Sequence, residues 1–307
     1  MTLKHAFESF ILDQRLKGNT DKTIKGYIGF LSRFMNWLNV KNILQIQDIT
    51  LLHVQEYQLF IDTKQAERSG KGKLSKRSVQ TYMRHIKAFM TFCFDEGFIP
   101  EPIHHKMKLP KAERPAIEIL TDDEVDTILS TFTKSEMGLR NKALIYLMLD
   151  CGLRLSEVVF IKTSDINFEK GYVMVMGKGR KGRIVPVGLK VRRAMLAYIH
   201  KRRMAESPDD DQYFFLAKSK KPLTTDCIAA LMSWLKKKTG IVRLHAHLFR
   251  HTFATNFLVY GLGDVYELSR LLGHSEIRIT EQYLQLASYY TIMEKRRRLS
   301  YLDMKDR

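Results

Sequence analysis

Four prolines crowd the stretch Pro100, Pro102, Pro110 and Pro115. Each fixes φ near −65° and lacks a backbone donor, so neither a helix interior nor a central strand persists across that spacing. On either side, apolar residues recur every three to four positions. A chain so patterned folds as two mainly helical bodies, and the expected boundary gives domains at 1–112 and 113–307. Both lengths can enclose a hydrophobic core.

The first domain reads as a small helical bundle. Phe7, Phe10, Ile11, Leu12 and Leu16 start one apolar stripe. Ile24, Tyr27, Ile28, Leu31, Phe34, Met35 and Leu38 make a second with a period near 3.6, preceded by Thr20 as N-cap. Leu51 to Ile61 gives a third helix and Ser75 to Phe94 a fourth, with Val79, Tyr82, Ile86, Phe89, Met90 and Cys93 on one face. Between these two lies a glycine-rich basic segment whose Lys71, Lys73, Lys76 and Arg77 are candidate DNA-phosphate contacts. A solvated surface loop is the plainer reading. It is not a nucleotide-binding loop, because Gly70-Lys71 is followed by Gly72 rather than Ser or Thr.

The second domain opens with a capping box at Thr121 to Glu124. Tyr172–Met176 and Arg183–Val187 alternate as strands around Gly177-Lys-Gly-Arg-Lys-Gly182, which predicts a β-hairpin with a basic turn. Helices are expected near 141–150, 189–204, 225–239, 247–260, 264–272 and 276–286. The fold class is mainly α with a small β-hairpin or sheet in the second domain.

Charge narrows the partner. The chain carries 51 Lys and Arg against 33 Asp and Glu, a net +18. Residues 1–110 contribute 17 − 10 = +7 and the remainder 34 − 23 = +11. An excess on both domains points to one polyanion facing both, most often nucleic acid. Three widely spaced cysteines, Cys93, Cys151 and Cys227, read as reduced core residues. No run approaches the roughly 18 apolar residues of a membrane span, and the N-terminus lacks a signal-peptide pattern. A cytoplasmic, membrane-free protein is expected.

Several residues carry chemistry. Arg154 follows a glycine break at Gly152 and precedes Glu157, which could brace it. Lys178 stands in the hairpin turn, where a lysine can donate a proton or simply be solvated. His247 and Arg250 share a helical face, and His251 follows. His245, His247 and His251 raise zinc, but no nearby carboxylate or cysteine completes a ligand set. His274 follows the glycine that ends a helix, and Tyr283 comes nine residues later. Each is ordinary alone; a tyrosine in an amphipathic helix is nearly always core or surface.

Taken in order and at this spacing, Gly152-Leu-Arg154, Glu157, Gly177-Lys178-Gly, His247, Arg250-His251, Leu272-Gly-His274 and Tyr283 resemble the tyrosine recombinase (phage integrase) family. The likeness is strongest to Xer recombinases and simple integrases of mobile elements, and it covers residues 117–287. The first domain resembles the family's SAM-like, core-type DNA-binding domain. The resemblance implies a C-shaped clamp around double-stranded DNA and a tetramer joining two sites. It also implies strand exchange through a Holliday junction with neither metal nor nucleotide cofactor.

The same resemblance implies roles. Arg154 and Arg250 would clamp the scissile phosphate, Lys178 would protonate the leaving 5′ oxygen, and His247 would act in acid–base transfer with the tyrosine. His274 would donate to the phosphate, Tyr283 would form a 3′-phosphotyrosyl link, and Glu157 would support Arg154. Arg180 and Lys181 would touch DNA, with Lys181 the alternative to Lys178. The apolar residues Tyr289, Tyr290, Ile292, Met293, Leu299, Tyr301 and Leu302 would dock on a neighbouring subunit; a helix folded onto its own domain is the plainer reading. A chain starting so close to the core-binding helices leaves little room for an extra arm-binding domain. Rival readings are a type IB topoisomerase, relaxing DNA as a monomer, and a catalytically silent DNA-binding regulator of the same fold.

Overall fold

The computed structural model describes residues 1–63, 74–112, 116–177, 182–203 and 213–298. It divides into two units, 1–115 and 116–307.

In the first unit, α1 (Leu3–Leu16) and α2 (Asp21–Val40) start at threonine N-caps, Thr2 and Thr20, whose hydroxyls accept from His5 N and Thr23 N. Each such cap stabilises its helix by about 1 kcal/mol. A 3-10 turn (Ile46–Asp48), α3 (Leu51–Thr63), α4 (Lys76–Asp95) and the single-turn α5 (Ile103–Lys106) complete the bundle. Its centre is aromatic: Phe10 meets Tyr27, Phe89 and Phe92 edge-on, and Phe34 packs on Tyr57. Edge-to-face contacts suit the ring quadrupole and add to what area burial supplies.

Two expectations for this unit are corrected. Leu12 and Leu16 are exposed at 59% and 80%. The inward face of α1 instead runs Leu3, Ala6, Phe10, Ile11 and Gln14, so these leucines fall off the stripe. The proline-spaced stretch is not an open linker from its start. Ile103 and Met107 are buried in the first core, and Gln80 Nε2 donates to the Pro110 carbonyl at 2.8 Å. Proline stops long helices there but does not stop short turns from packing.

The second unit opens with α6 (Asp122–Ser130), whose Thr121 and Glu124 form the expected capping box. The central helix α7 (Glu136–Asp150) packs against α9 (Leu189–Arg203) and α11 (Ala246–Val259). Between α7 and α9 come α8 (Leu155–Val159) and an antiparallel sheet of order β1 (Ile166–Asn167), β2 (Tyr172–Met176), β3 (Gly182–Pro186). Val173 pairs with Val185, and both are buried with Val175, while Met174, Met176 and Ile184 face outward. That is the period-two pattern of a half-buried sheet. The sequence signal missed β1, which is two residues long. Then follow α10 (Thr225–Thr239), α12 (Val265–Leu272) and α13 (Arg278–Arg298).

The last helix also departs from expectation. It does not end near residue 286 but continues to Arg298, because no glycine or proline interrupts it. Of the three cysteines, Cys93 and Cys151 are buried and free, and burial pushes Cys93 up to about 12. Cys227 is only half-buried, in the first turn of α10. No helix among the described residues is long and apolar enough to cross a membrane.

Candidate active site

The C-terminal end of α12 organises the site. Its last carbonyls have no partner inside the helix, and the macrodipole gives this end negative character that attracts cations. Three successive carbonyls each accept from a different arginine. Leu271 O takes Nε of Arg183 at 2.6 Å, Leu272 O takes Nη2 of Arg250 at 2.7 Å, and Gly273 O takes Nη2 of Arg154 at 3.1 Å. Gly273 is left-handed with φ 63°, and a Cβ there would lie 2.9 Å from Nη1 of Arg183. Only glycine turns the chain here without displacing that guanidinium.

The three arginines arrive from three elements. Arg154 is the N-cap of α8, reached through Gly152 at φ 61°, where a Cβ would meet the Phe253 ring at 2.3 Å. Arg183 comes from β3 and Arg250 from the first turns of α11. One carboxylate joins two of them. Glu157 takes both terminal nitrogens of Arg183 at 2.8 Å and Nη1 of Arg154 at 2.9 Å, and its Oε2 also accepts Arg154 N at 2.8 Å. Desolvation alone would raise the Glu157 pKa, but the hydrogen bonds and charge of Arg183 and Arg154 outweigh it and the net shift is downward. Bidentate pairing of this kind is the strong, shape-specific form of ion pair.

Arg250 has no carboxylate of its own among the described residues. It is 1% exposed, its Nη1 donates to Gly152 O at 2.7 Å, and its Nε is buried with no partner among the described residues. Burial, and then the neighbouring Arg154, push it down to about 10, still charged at neutral pH. Three guanidiniums against one carboxylate leave 3 − 1 = +2 in the cluster. A buried cation held by two carbonyls and an imidazole nitrogen is costly unless an anion completes it.

Histidines line the same side. Arg250 Nη2 donates to Nε2 of His274 at 3.0 Å, so the Nδ1–H of His274 donates to Thr280 Oγ1 at 2.8 Å. Both ring nitrogens are thus engaged, and burial with Arg250 and Arg154 pushes the His274 pKa down to about 4. His247 is exposed at the rim, its pKa lowered by desolvation of its inner face and then by Arg250. Tyr283 is 1% exposed, packed with Ala254, Phe257, Leu268 and Leu272. Burial raises its pKa against the opposing pull of Arg250 and Arg154. Its hydroxyl lies 2.8 Å from Nδ1 of His251.

Of the expected residues, Arg154, Glu157, Arg250, His274 and Tyr283 therefore converge, with His247 at the edge. Lys76 and Arg77 lie exposed in the first turn of α4, in the other unit. Lys71, Lys73, Lys178, Arg180 and Lys181 lie outside the described residues. Sequence reasoning missed Arg183 and the contact of His251 with the phenol. Arg183 stands in an alternating strand, where nothing marks it as reaching inward. His251 stood in the quoted motif, but spacing alone could not say which histidine meets Tyr283.

The sequence profile of the Phage integrase family matches residues 118–289, and that of the Phage integrase SAM-like domain matches residues 2–109. This chain belongs to the phage integrase family. Tyrosine recombinase XerC of Bacillus licheniformis is 30% identical over 291 residues, 93% of this chain and 93% of the relative. Tyrosine recombinase XerD of Bifidobacterium longum is 27% identical over 88% of this chain and 89% of the relative. Among solved structures, the Tn1549 transposon integrase in complex with transposon right end DNA superposes with a TM-score of 0.71. That match has 21% identity and covers 98% of this chain and 100% of the other. XerH site-specific recombinase bound to its difH substrate gives a TM-score of 0.66 at 18% identity over 94% and 83%. At such identities the two structures speak to the fold.

Proposed function

We propose that this family member is a site-specific tyrosine recombinase that cuts and rejoins duplex DNA through Tyr283. The observation that carries the reading is Arg250, a buried guanidinium whose Nε has no partner among the described residues, beside Arg154 and a buried tyrosine hydroxyl. A phosphodiester gains negative charge as an oxygen attacks it, so fixed cations stabilise the transition state more than the ground state. Arg154 and Arg250 bind the non-bridging oxygens. The Tyr283 oxygen attacks phosphorus, the bond to the 5′ oxygen breaks, and Lys178 gives that oxygen its proton. A 3′-phosphotyrosyl ester results, which keeps the energy of the broken bond and lets a 5′ hydroxyl reverse the step.

His274 accepts from Arg250 through Nε2. An arriving phosphate favours its protonated form, which then donates. Glu157 holds Arg154 in aim. His247, at the rim, takes part in proton transfer. No metal or nucleotide is used in this scheme.

The first unit is a core-type DNA-binding domain, with Lys71, Lys73, Lys76 and Arg77 on phosphates, and Arg180 and Lys181 add contacts from the hairpin. The two domains, 1–112 and 113–307, each bind the same duplex. Four protomers join two sites through a Holliday junction. The exposed Tyr289, Tyr290, Ile292 and Met293 of α13, at 40–59% exposure, support docking of the tail on a neighbouring subunit. Integration or excision of a mobile element, or Xer-type resolution, is the cellular setting, in the cytoplasm.

The test uses nicked duplexes tiled from DNA flanking the gene, incubated with protein in EDTA and run on a denaturing gel. A covalent adduct with the wild type and none with Tyr283→Phe is the expected result. Tight binding without an adduct in either would favour the silent regulator.

A further inference from the structure

We infer that His251 is the base that receives the phenol proton of Tyr283 during strand cleavage. The inference rests on the recombinase reading above and assigns a proton path that the reading leaves to His247. Three observations carry it. First, the Tyr283 hydroxyl lies 2.8 Å from Nδ1 of His251, within direct transfer distance, whereas His247 touches His251 by ring contact at 4.5 Å between centroids.

Second, the contact lies between two fixed elements. His251 sits on α11, one residue past the fully buried Arg250, and Tyr283 on α13, which packs along α11. The phenol is 1% exposed, so bulk water does not reach it as a proton acceptor. Third, the surroundings keep this imidazole neutral. Desolvation by burial and then His247, His245 and Arg250 push it down to about 4, and the phenol of Tyr283, itself raised by burial, faces it from α13. A neutral ring with Nδ1 as its lone-pair nitrogen is the form that accepts.

The step balances. The Tyr283 oxygen bonds to phosphorus as its proton passes to Nδ1 of His251, and the departing 5′ oxygen takes its proton from Lys178. In rejoining, the 5′ hydroxyl attacks phosphorus as its proton returns to Lys178, and the Tyr283 oxygen leaves as the phenol with the proton returned by His251. A phenol far above His251 in pKa gives up its proton only as the phosphorus bond forms, so transfer and attack are concerted.

The experiment measures single-turnover adduct formation on a nicked duplex, for wild type, His251→Ala and His251→Gln at saturating DNA. A second duplex of the same sequence carries sulfur in place of the bridging 5′ oxygen, a leaving group that needs no protonation. Loss of about 10²-fold or more is expected for both variants, persisting on the sulfur duplex, where Lys178→Ala recovers. Added imidazole should partly restore His251→Ala alone. Glutamine keeps a hydrogen-bonding group of similar reach, so it tests basicity if alanine disturbs folding. Adduct formation by either folded variant at the wild-type rate or faster would overturn the assignment; faster would mean that His251 merely parks the phenol. Absence of any wild-type adduct would instead sink the recombinase reading itself.

Discussion

The two units bury different chemistry. Among described residues, the first hides two polar side chains, Gln14 and His104, inside an aromatic core. The second hides Arg140, Glu157, Arg202 and Arg250 with Thr252, Thr255, Ser269 and Thr280. The first unit's core is therefore explained by transfer of apolar surface from water, about 25 cal/mol per Å². The second spends part of its interior on charges that stabilise folding little by themselves. Arg140 and Arg202 donate to acceptors of their own chain, whereas Arg250 keeps a buried Nε with no partner among the described residues; the contrast teaches that the chemistry sits where a buried guanidinium is left incomplete.

The sharpest way to break this contrast is Arg250→Ala. Adduct formation should fall by about 10³-fold or more at saturating DNA, and three acceptors at Gly152, Leu272 and His274 lose their donor. A folded variant that still cleaves at a tenth of the normal rate would remove Arg250 from the chemistry. Glu157→Gln should cost about 3–5 kcal/mol in urea unfolding, because two guanidiniums lose their shared counter-charge, and cleavage should fall with it. Phe89→Ala in the first core should cost a similar 3–5 kcal/mol by cavity formation, yet leave the chemical step on saturating DNA unchanged. Equal kinetic damage from both would erase the distinction between the units.

Acid should separate the units further. His251 and His274 are both held near 4, against roughly 6.5 in an unfolded chain. Between those values the unfolded chain binds more protons, so stability there rises with pH and is lost as pH falls. Amide exchange at pH 5 against pH 7.5 should show the second unit weakened by on the order of 2–4 kcal/mol. His104, also lowered by burial, acts in the same direction on the first unit. The smallest expected change is Lys76→Ala with Arg77→Ala. Stability should stay within about 0.5 kcal/mol, while the slope of log binding against log salt should drop by about 2.

Much of this was legible in the sequence, for reasons visible in particular residues. Thr20 and the Thr121 box mark helix starts because their hydroxyls complete orphan amides. The sheet announced itself through Val173, Val175 and Val185, and Gly152 and Gly273 marked turns that only glycine makes. The family motif assembled Arg154, Glu157, Arg250, His274 and Tyr283 without any geometry. What stayed hidden depends on three-dimensional direction. Leu12 looks like core until the face of α1 is known. Arg183 looks like a strand surface residue until its side chain reaches the far end of α12. Cys227 looks apolar, but a helix's first turn left it half-open.

The end of α12 has one more consequence. Arg183, Arg250 and Arg154 come from a strand and two helices, any of which could drift independently as sequences change. Their charged ends are nonetheless indexed to three consecutive peptide groups, 271, 272 and 273, whose separations are fixed by covalent geometry. The spacing of the charges thus behaves like marks ruled on a gauge block. Tolerance in the surrounding parts does not accumulate at the working edge, and the one component that must be made true is a single helical turn ending in glycine.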